Sequence, residues 1–374
     1  MKFGISLLPD CRPSRRPVAE YYREVLELSV QADALGFEYV KMTEHYLGTY
    51  GGYCPSPLTF LSSVAVLTSR IRVMTGCMLP AFHHPIQIAA HAAMVDAISG
   101  GRLDCGFARA WLPYEFEAFG VSMDDSRELF ESTIETVIRL WTEPEVTVDT
   151  PHFAFRGATS TPGITQRPHP PVWGAAIRSP QSFEWLARKG FGLLVSPPPL
   201  RRDLWATRQL IDIYRSTFEE VHGSLVGARV ALAIPLYVAP TTQLARSVAL
   251  PAIKEYLDVS GEAAAAWTDV TSSNYAGYQN MSDAFAAITP QLLAQDAAAV
   301  VGSPDEVVDQ IGRLTDALPV DTILWNVDYG GQGLGTMAPS IERFATEVAP
   351  QLEARTAKPV PADGPVPVGA GVRP

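Results

Sequence analysis

Short apolar runs rich in β-branched residues alternate along the chain with longer segments in which apolar residues recur every three or four positions. Residues 18–35 show this helical period, because Val25, Leu28 and Ala32 fall on one face of a helix that Gly36 would end. By the same criteria, the pattern predicts strands at residues 2–8, 37–43, 71–78, 103–107, 172–176, 191–196, 230–238 and 321–327. It predicts helices at residues 18–35, 57–68, 85–98, 124–141, 180–189, 204–221, 304–317 and 338–352.

Eight strand–helix pairs fit a (β/α)8 TIM barrel better than a doubly wound sheet, which usually has fewer strands. The first strand is followed by no GxGxxG motif, which also disfavours a dinucleotide-binding fold. Two segments interrupt the alternation, so we expect insertions after strands four and seven, at about residues 143–171 and 240–300. We expect residues 1–355 to form a single domain and the Pro/Gly-rich tail 356–374 to be disordered.

The composition narrows the class of protein further. The 374 residues are 47% hydrophobic and 18% charged, and the formal net charge is −11. No run of Lys or Arg forms the basic stripe that nucleic-acid binding needs, and no apolar run approaches the roughly 20 residues that span a bilayer. The apolar core of the first residues is too short for a signal peptide, so we expect a cytoplasmic protein. Four cysteines without CxxC spacing indicate reduced thiols.

Polar and small residues follow the predicted strands at the positions where a TIM barrel builds its functional site. Because the carboxyl ends of all barrel strands meet at one mouth, we expect the side chains there to line one cavity. The candidates are Glu44 and His45 after the second strand, Gly76 and Cys77 after the third, Ala108, Arg109 and Trp111 after the fourth, Ala176, Arg178 and Ser179 after the fifth, and Trp325, Asn326 and Asp328 at the eighth.

The residue types at this mouth indicate acid–base chemistry and anion binding. His45 can transfer a proton near neutrality, although a histidine satisfied by a neighbouring carbonyl or by Glu44 would look the same in sequence. Arg109 ends an apolar strand and must find an anion. That anion is either a ligand such as phosphate or the internal carboxylate of Glu44, Glu115 or Glu117.

Helix starts and aromatic residues give weaker indications of a phosphate site and of an apolar substrate pocket. Ser179 is placed to cap the helix that opens at Pro180, which would leave backbone amides free for a phosphate. His83 and His84 have no partner at a metal-ligand spacing, so no metal site is predicted. The aromatic residues that would line an apolar substrate pocket, unless they belong to the core, are Tyr46, Tyr53, Phe82 and Trp111.

Several stretches of the sequence resemble the bacterial luciferase-like flavin monooxygenase family. The matching text runs through EHYLGTYGGYCPSPLTFLSSVAVLTSRIRVMTG, HHPIQIAAHAAMVDAISGGRLDCGFARAWLPYEFEAFG, RPHPPVWGAA and GSPDEVVDQI. The family typically shows EHH before a proline-led helix, TSRIRxGTG in the third strand, HP at the start of the next helix and SxGRxxxGxxRG after it. The resemblance covers nearly all of residues 1–355.

The resemblance implies a TIM barrel that binds flavin mononucleotide (FMN) at its mouth, usually in a homodimer. It implies that a separate flavin reductase supplies reduced FMN, which reacts with O2 to give a C4a-hydroperoxide and oxygenates a largely apolar organic molecule. His45 matches the family's active-site histidine, and Gly76 and Cys77 match a pair that a non-proline cis peptide joins in the luciferase. The implied cofactor-binding positions are Glu44, Gly76, Cys77, Ala108, Arg109, Ala176, Arg178 and Ser179. Of these, Arg109, Arg178 and Ser179 are the positions implied to bind the phosphate.

Three positions depart from the family pattern, and light emission is therefore not inferred. Tyr46 stands in place of a second histidine, Ala108 in place of a cysteine beside the flavin, and Arg178 in place of an acidic residue. The segment 240–300 aligns with a mobile loop of the luciferase and is expected to shield the site from water. The substrate, and the choice among hydroxylation, epoxidation and Baeyer–Villiger insertion, stay open.

Two other functions stay open at this point. Relatives on the same barrel use the deazaflavin F420 for hydride transfer, so an F420-dependent dehydrogenase or reductase is the first alternative. A non-catalytic flavin-binding protein is the second, and the presence of His45 argues against it.

Overall fold

The computed structural model describes residues 1–357, and in them eight parallel strands close into a barrel. The strands are β1 (Lys2–Leu7), β2 (Tyr39–Met42), β3 (Arg72–Thr75), β4 (Leu103–Phe107), β5 (Val172–Ala175), β6 (Gly192–Val195), β7 (Val230–Val238) and β8 (Thr322–Asn326). Consecutive strands pair in order from β1 to β7, and β8 pairs with both β7 and β1 to complete the ring. The predicted TIM barrel is therefore confirmed.

Helices lie between the strands along the chain. They are α1 (Val18–Ala34), α2 (Pro57–Leu67), α3 (Pro85–Ile98), α4 (Pro113–Phe119), α5 (Ser126–Thr142), α6 (Pro180–Arg188), α7 (Leu204–His222), α8 (Thr242–Ala264), α9 (Met281–Ala286), α10 (Pro290–Asp296), α11 (Pro304–Ala317), α12 (Leu334–Arg343) and α13 (Ala349–Ala357). The structure confirms the predicted bounds of α3 and α11, which both begin with a proline whose missing N–H has no partner in a first turn anyway. The predicted disordered tail lies outside the described residues, apart from its first two, which end α13.

Some elements differ from the sequence prediction. The strand predicted at residues 71–78 ends at Thr75, and a non-proline cis peptide joins Gly76 to Cys77, as the resemblance implied. Helix α4 was not predicted, because seven residues are too few to show a helical period. The helix predicted at 338–352 starts earlier, at Leu334, and the π-helical turn Phe344–Val348 separates α12 from α13. The first insertion contains an antiparallel hairpin of the strands Val146–Asp149 and Ala154–Ala158.

Side-chain size inside the barrel changes from large to small towards the mouth. One layer of the interior is a buried cluster that includes Tyr39, Trp173 and Leu324. The partly buried side chains that pack on this cluster are Ala108, Ala175 and Ala233, and all three line the cavity. Because close packing needs large side chains to fill the space, small residues at this level leave room for a ligand.

The second insertion covers one side of the barrel mouth. It consists of α8, α9, α10 and the short strand Val300–Gly302, which pairs in parallel with β7. Ile253 and Leu257 of α8 belong to the buried cluster that holds this segment to the barrel. Trp267 and Tyr275 pack into a further cluster with residues that follow β3 and β4. No helix within residues 1–357 is both long enough and apolar enough to cross a membrane.

Candidate active site

A cavity of about 850 Å³ opens at the carboxyl ends of the barrel strands, where the sequence predicted the functional site. Its walls come from the ends of β2 to β8 and from the second insertion. The predicted residues that line it are Glu44, His45, Gly76, Cys77, Ala108, Arg109, Trp111, Ala176, Arg178 and Ser179. The predicted catalytic histidine and every predicted cofactor-binding position therefore face one space.

Three of the aromatic residues predicted to line the substrate pocket lie elsewhere. Tyr46 packs edge-on against Phe119, and Phe82 stacks on the same ring with centroids 4.6 Å apart. Tyr53 donates a hydrogen bond of 2.7 Å from its hydroxyl to the carbonyl of Arg16. None of the three lines the cavity, because each finds an aromatic or backbone partner behind the strand ends.

The eighth strand divides its predicted residues between core and cavity. Trp325 is fully buried and stacks on Phe3, with ring centroids 6.0 Å apart. Asn326 lines the cavity. Asp328 is buried and accepts hydrogen bonds from the Leu8 N–H and the Tyr21 hydroxyl, each at 3.0 Å. Alternate residues of a strand point to opposite sides, which explains why Trp325 and Asn326 differ, whereas Asp328 lies beyond the end of the strand.

A buried carboxylate fixes the orientation of His45. Glu115 Oε1 lies 3.1 Å from His45 Nδ1 and also accepts a 2.7 Å hydrogen bond from the Tyr46 N–H. Glu115 is fully buried, and His45 is 5% exposed. A carboxylate can only accept, so Nδ1 carries a proton in this pair and Nε2 is the nitrogen that Glu115 leaves free. Glu115 was considered from the sequence only as a partner for Arg109.

Glu44 is held by a different histidine. Its Oε1 accepts hydrogen bonds from His83 Nε2 at 2.5 Å and from the Tyr46 hydroxyl at 2.8 Å, and its Oε2 accepts one from the Leu79 N–H at 3.3 Å. Burial opposes the charge on His83, but the hydrogen bond and charge of Glu44 outweigh it, so the pKa of His83 is raised. Glu44 is therefore not the hydrogen-bond partner of His45, although one interpretation of the sequence had paired the two.

Arg109 enters the cavity without an internal counter-ion. Its Nη1 is buried and has no hydrogen-bond partner among the described residues, and no carboxylate there forms an ion pair with it. The guanidinium lies over the ring of Tyr275, 5.1 Å from the ring centre. Burial lowers the pKa of Arg109, and the charges of Tyr275 and Glu131 partly oppose this effect. The internal pairs with Glu44 or Glu115 are not formed, so the arginine is left for an anion from outside.

The start of α6 adds further donors at the same end of the cavity. Ser179 is the N-cap residue of this nine-residue helix, but its hydroxyl makes no capping hydrogen bond, contrary to the prediction. The hydroxyl instead accepts a 3.1 Å hydrogen bond from Arg127 Nη2 and donates one of 2.8 Å to Gln181. The Arg178 guanidinium lies 5.7 Å from the ring centre of Tyr278. Free helix N–H groups and several guanidinium groups together make an anion site.

Sequence reasoning missed many of the residues that line this cavity. Among them are Lys41, Arg127, Tyr275 and Tyr278. Arg127 lies on a helix far from any strand end, and the tyrosines belong to an insertion whose path the pattern does not predict. Lys41 did carry a signal, since it is a charged residue inside the apolar run 37–43.

A second cavity of about 630 Å³ adjoins the first. The two share lining residues, namely Tyr50, Trp111, Ile177, Arg178, Ser196, Ala233, Tyr256, Tyr278 and Asn326. The remainder of its wall is largely apolar and comes from the loop after β6, from α7 and from α8 to α10. Leu210, Ile253, Phe285 and Ile288 are among these apolar residues.

Comparison with known proteins places the chain among flavin-dependent oxygenases in sequence and fold. The profile of the family described as luciferase-like monooxygenase matches residues 1–320. The oxygenase component of a flavin-dependent trigonelline monooxygenase from Acinetobacter baylyi is 27% identical over 357 residues, which are 94% of this chain and 95% of that protein.

Solved structures show the same similarity. The monooxygenase RslO1 from Streptomyces bottropensis is 34% identical, with a TM-score of 0.77 over 94% of this chain and 99% of that one. The oxygenating constituent of a Pseudomonas putida 3,6-diketocamphane monooxygenase, a type II Baeyer–Villiger enzyme in complex with FMN, also has a TM-score of 0.77, over 94% of this chain and 99% of that one. At 18% identity, this second structure shows the fold alone.

Proposed function

The chain belongs to the luciferase-like monooxygenase family, and from this we propose that it uses reduced FMN and O2 to oxygenate a largely apolar organic molecule. We propose further that a separate flavin reductase supplies the reduced FMN and that the protein acts as a homodimer. The similarity to the oxygenase component from Acinetobacter baylyi supports the two-component arrangement.

The unpaired guanidinium of Arg109 is the observation that carries this proposal. A buried donor without a partner is costly, so its retention in a cavity favours a site built for an anionic ligand. Arg127, Ser179 and the N–H groups at the start of α6 lie at the same end. These groups suit a phosphate, because arginine presents several N–H donors in a plane.

The wall beside this anion site suits a flat ring. Gly76, Cys77, Ala108 and Ala175 line it, and none of them carries a large side chain. Trp111 lies at the junction with the second cavity. The residues present therefore fit a flavin nucleotide, with its phosphate held by the arginines and its ring on the small residues. When bound, reduced flavin supplies the activation of O2.

His45 would hold or give up a proton at Nε2, the ring nitrogen that Glu115 leaves free. The same carboxylate stabilises the ring when it is doubly protonated, because the buried negative charge lies against Nδ1. Tyr275 and Tyr278 of the second insertion would limit the access of water, since they lie over Arg109 and Arg178.

The second cavity supports an apolar organic substrate. Its wall is mainly aliphatic and aromatic, and it reaches the first cavity through the residues that the two share. The rings of Tyr50 and Tyr256 stack at this junction with centroids 6.4 Å apart, and Asn326 is also there. These groups could orient a single carbonyl or hydroxyl of an otherwise apolar molecule.

Anaerobic titration of the purified protein with reduced FMN tests the cofactor, and mixing the loaded protein with ¹⁸O-labelled O2 and a panel of apolar ketones, phenols and alkenes tests the reaction. We expect saturable binding and one labelled oxygen atom in the product. Absence of saturable binding of FMN in either redox state would overturn the proposal. Tight binding of F420 with hydride transfer that does not depend on O2 would establish the first alternative instead.

A further inference from the structure

Lys41 is a buried cation at the floor of the first cavity. It lies on β2, its residue is 8% exposed, and it lines the cavity. Its Nζ donates to the Ser6 hydroxyl at 3.0 Å and to the Thr43 hydroxyl at 3.3 Å. No carboxylate among the described residues forms an ion pair with it. Two neutral hydroxyls compensate poorly for the lost hydration of an ammonium group, so the position of this lysine needs a reason.

The surroundings hold the amine in one place. The side chain of Lys41 packs on Gly76, where a Cβ atom would overlap Cγ, Cδ and Cε of the lysine. The Thr43 hydroxyl donates a 2.7 Å hydrogen bond to the Gly76 carbonyl. Its oxygen is therefore free to accept the hydrogen bond from Lys41 Nζ. Gly76 is also part of the wall that we assign to the flavin ring. The lysine and the proposed ring site therefore share the same wall residue.

The other ionisable groups nearby do not neutralise this amine. Burial lowers the pKa of Lys41, and the charges of Cys77 and Asp328 partly oppose that shift. Burial, however, raises the pKa of the Cys77 thiol to about 12, so the thiol is neutral near pH 7. Asp328 forms no ion pair with Lys41 in the described part of the chain, and its two oxygens accept from the Leu8 N–H and the Tyr21 hydroxyl instead. The remaining room for a compensating negative charge is the cavity itself.

We propose that Lys41 makes the site prefer reduced over oxidised flavin by placing a hydrogen-bonding cation against the ring. This inference rests on the proposed flavin function. Reduction of a flavin by two electrons followed by loss of its N1 proton leaves a negative charge on the ring, whereas the oxidised ring is neutral. A cation in a cavity of low polarity stabilises the charged form selectively. An oxygenase that takes reduced flavin from solution needs this preference, because oxidised flavin must leave after each turnover.

The test compares the affinity of the protein for oxidised and reduced FMN under anaerobic conditions, in the wild type and in Lys41→Met. Methionine keeps an unbranched apolar chain and removes the charge. We expect the wild type to bind reduced FMN at least about tenfold more tightly than oxidised FMN, since a hydrogen bond to a charged group is worth about 1.5–3 kcal/mol. We expect Lys41→Met to lose most of this preference and to bind oxidised FMN with little change.

Lys2→Met is the matched control. It removes the same charge from an exposed residue that pairs with Glu38, and it should leave both affinities unchanged. Equal affinities for the two redox states in the wild type, or an unchanged preference in Lys41→Met, would overturn the inference and leave the flavin site intact. Equal wild-type affinities overturn the inference even if the variant does not fold. Failure of both forms of FMN to bind would instead overturn the proposed function.

Discussion

His45 Nδ1 lies 3.1 Å from Glu115 Oε1, although the two residues are 70 positions apart in the sequence. The pair is buried, and the same carboxylate oxygen also binds the N–H of Tyr46. Glu115 therefore fixes both the histidine ring and the backbone that follows it. This arrangement leaves Nε2 of His45 without a bond to Glu115, which suits the acid–base role that we propose for the histidine.

Replacement of His45 by Asn separates the hydrogen bond to Glu115 from the ability to exchange a proton. The Asn amide can still donate to Glu115, but it cannot exchange a proton as imidazole does. We expect the rate of product formation to fall about 10²-fold or more, because positioned acid–base groups contribute that much, while the affinity for reduced FMN stays close to that of the wild type. Rapid-mixing kinetics and anaerobic titration measure the two quantities.

His91→Ala provides the control, since His91 is exposed on α3 and lies outside both cavities. This variant should behave as the wild type in both measurements. A rate of product formation in His45→Asn equal to that of the wild type would remove the histidine from the chemistry.

Arg109→Met is expected to weaken the binding of FMN by about 10- to 100-fold, because the phosphate loses a charge-assisted hydrogen bond. Riboflavin has the same ring without the phosphate, so its affinity should change much less. The ratio of the two dissociation constants isolates the phosphate contribution. Arg139→Met, on the exposed face of α5, should leave the ratio unchanged. Equal losses for FMN and riboflavin would show that Arg109 acts on the ring or on the fold instead.

The His83–Glu44 pair predicts a pH-dependent contribution to stability. The folded-state pKa of His83 is raised above 6.5, so the protonated ring stabilises the fold fully below that pH, and this stabilisation is lost as the pH rises through the folded-state value. We expect His83→Gln to lower the free energy of unfolding by about 1–2 kcal/mol at low pH and by less at high pH. Urea denaturation at several pH values measures this. A difference independent of pH would contradict the assignment.

Asp10 predicts a pH dependence of the same sign as that of His83, because the folded-state pKa is raised in both. Burial, and then the charge of Asp328, raise the pKa of Asp10 to about 7 in the folded protein. Between the ordinary value of 3.8 and about 7, the folded state binds a proton that the unfolded state does not, so this group makes stability fall as the pH rises. The slope is at most about 1.4 kcal/mol per pH unit.

Asp10→Asn should flatten that slope, because asparagine does not titrate, while its one carbonyl oxygen can still accept from one of the Gly330 and Gly331 N–H groups. Urea denaturation between about pH 5 and pH 8 is the measurement. The same slope in the variant and the wild type would show that Asp10 titrates normally in the folded protein.

Much of the barrel was predictable from the sequence because strand and helix periods differ, and because prolines such as Pro85 and Pro304 mark helix starts. The residues at the strand ends were predictable for the same reason, since the topology itself brings them to one mouth. The motifs shared with a known family then separated His45 and Arg109 from residues of the same type elsewhere.

The remaining site residues depend on side-chain direction and long-range contact, which a local pattern does not contain. Tyr46 and Phe82 follow strands as Trp111 does, yet they pack on Phe119 behind the cavity. Glu115 reaches His45 from α4, a helix too short to be recognised. The inward direction of Lys41 follows from strand alternation, but its lack of a carboxylate partner becomes visible only when the neighbouring strands are in place.

The two cavities draw their walls from different parts of the chain. The anion site and the ring wall come from strand ends and from the start of α6, whereas most of the second cavity comes from α8 to α10 and the loop after β6. If the second cavity holds the substrate, as we propose, mutations in those helices would alter which molecules fit while the proposed cofactor site stays in place. Natural divergence and laboratory evolution can thus change the selectivity of this enzyme in small steps while its redox machinery stays constant.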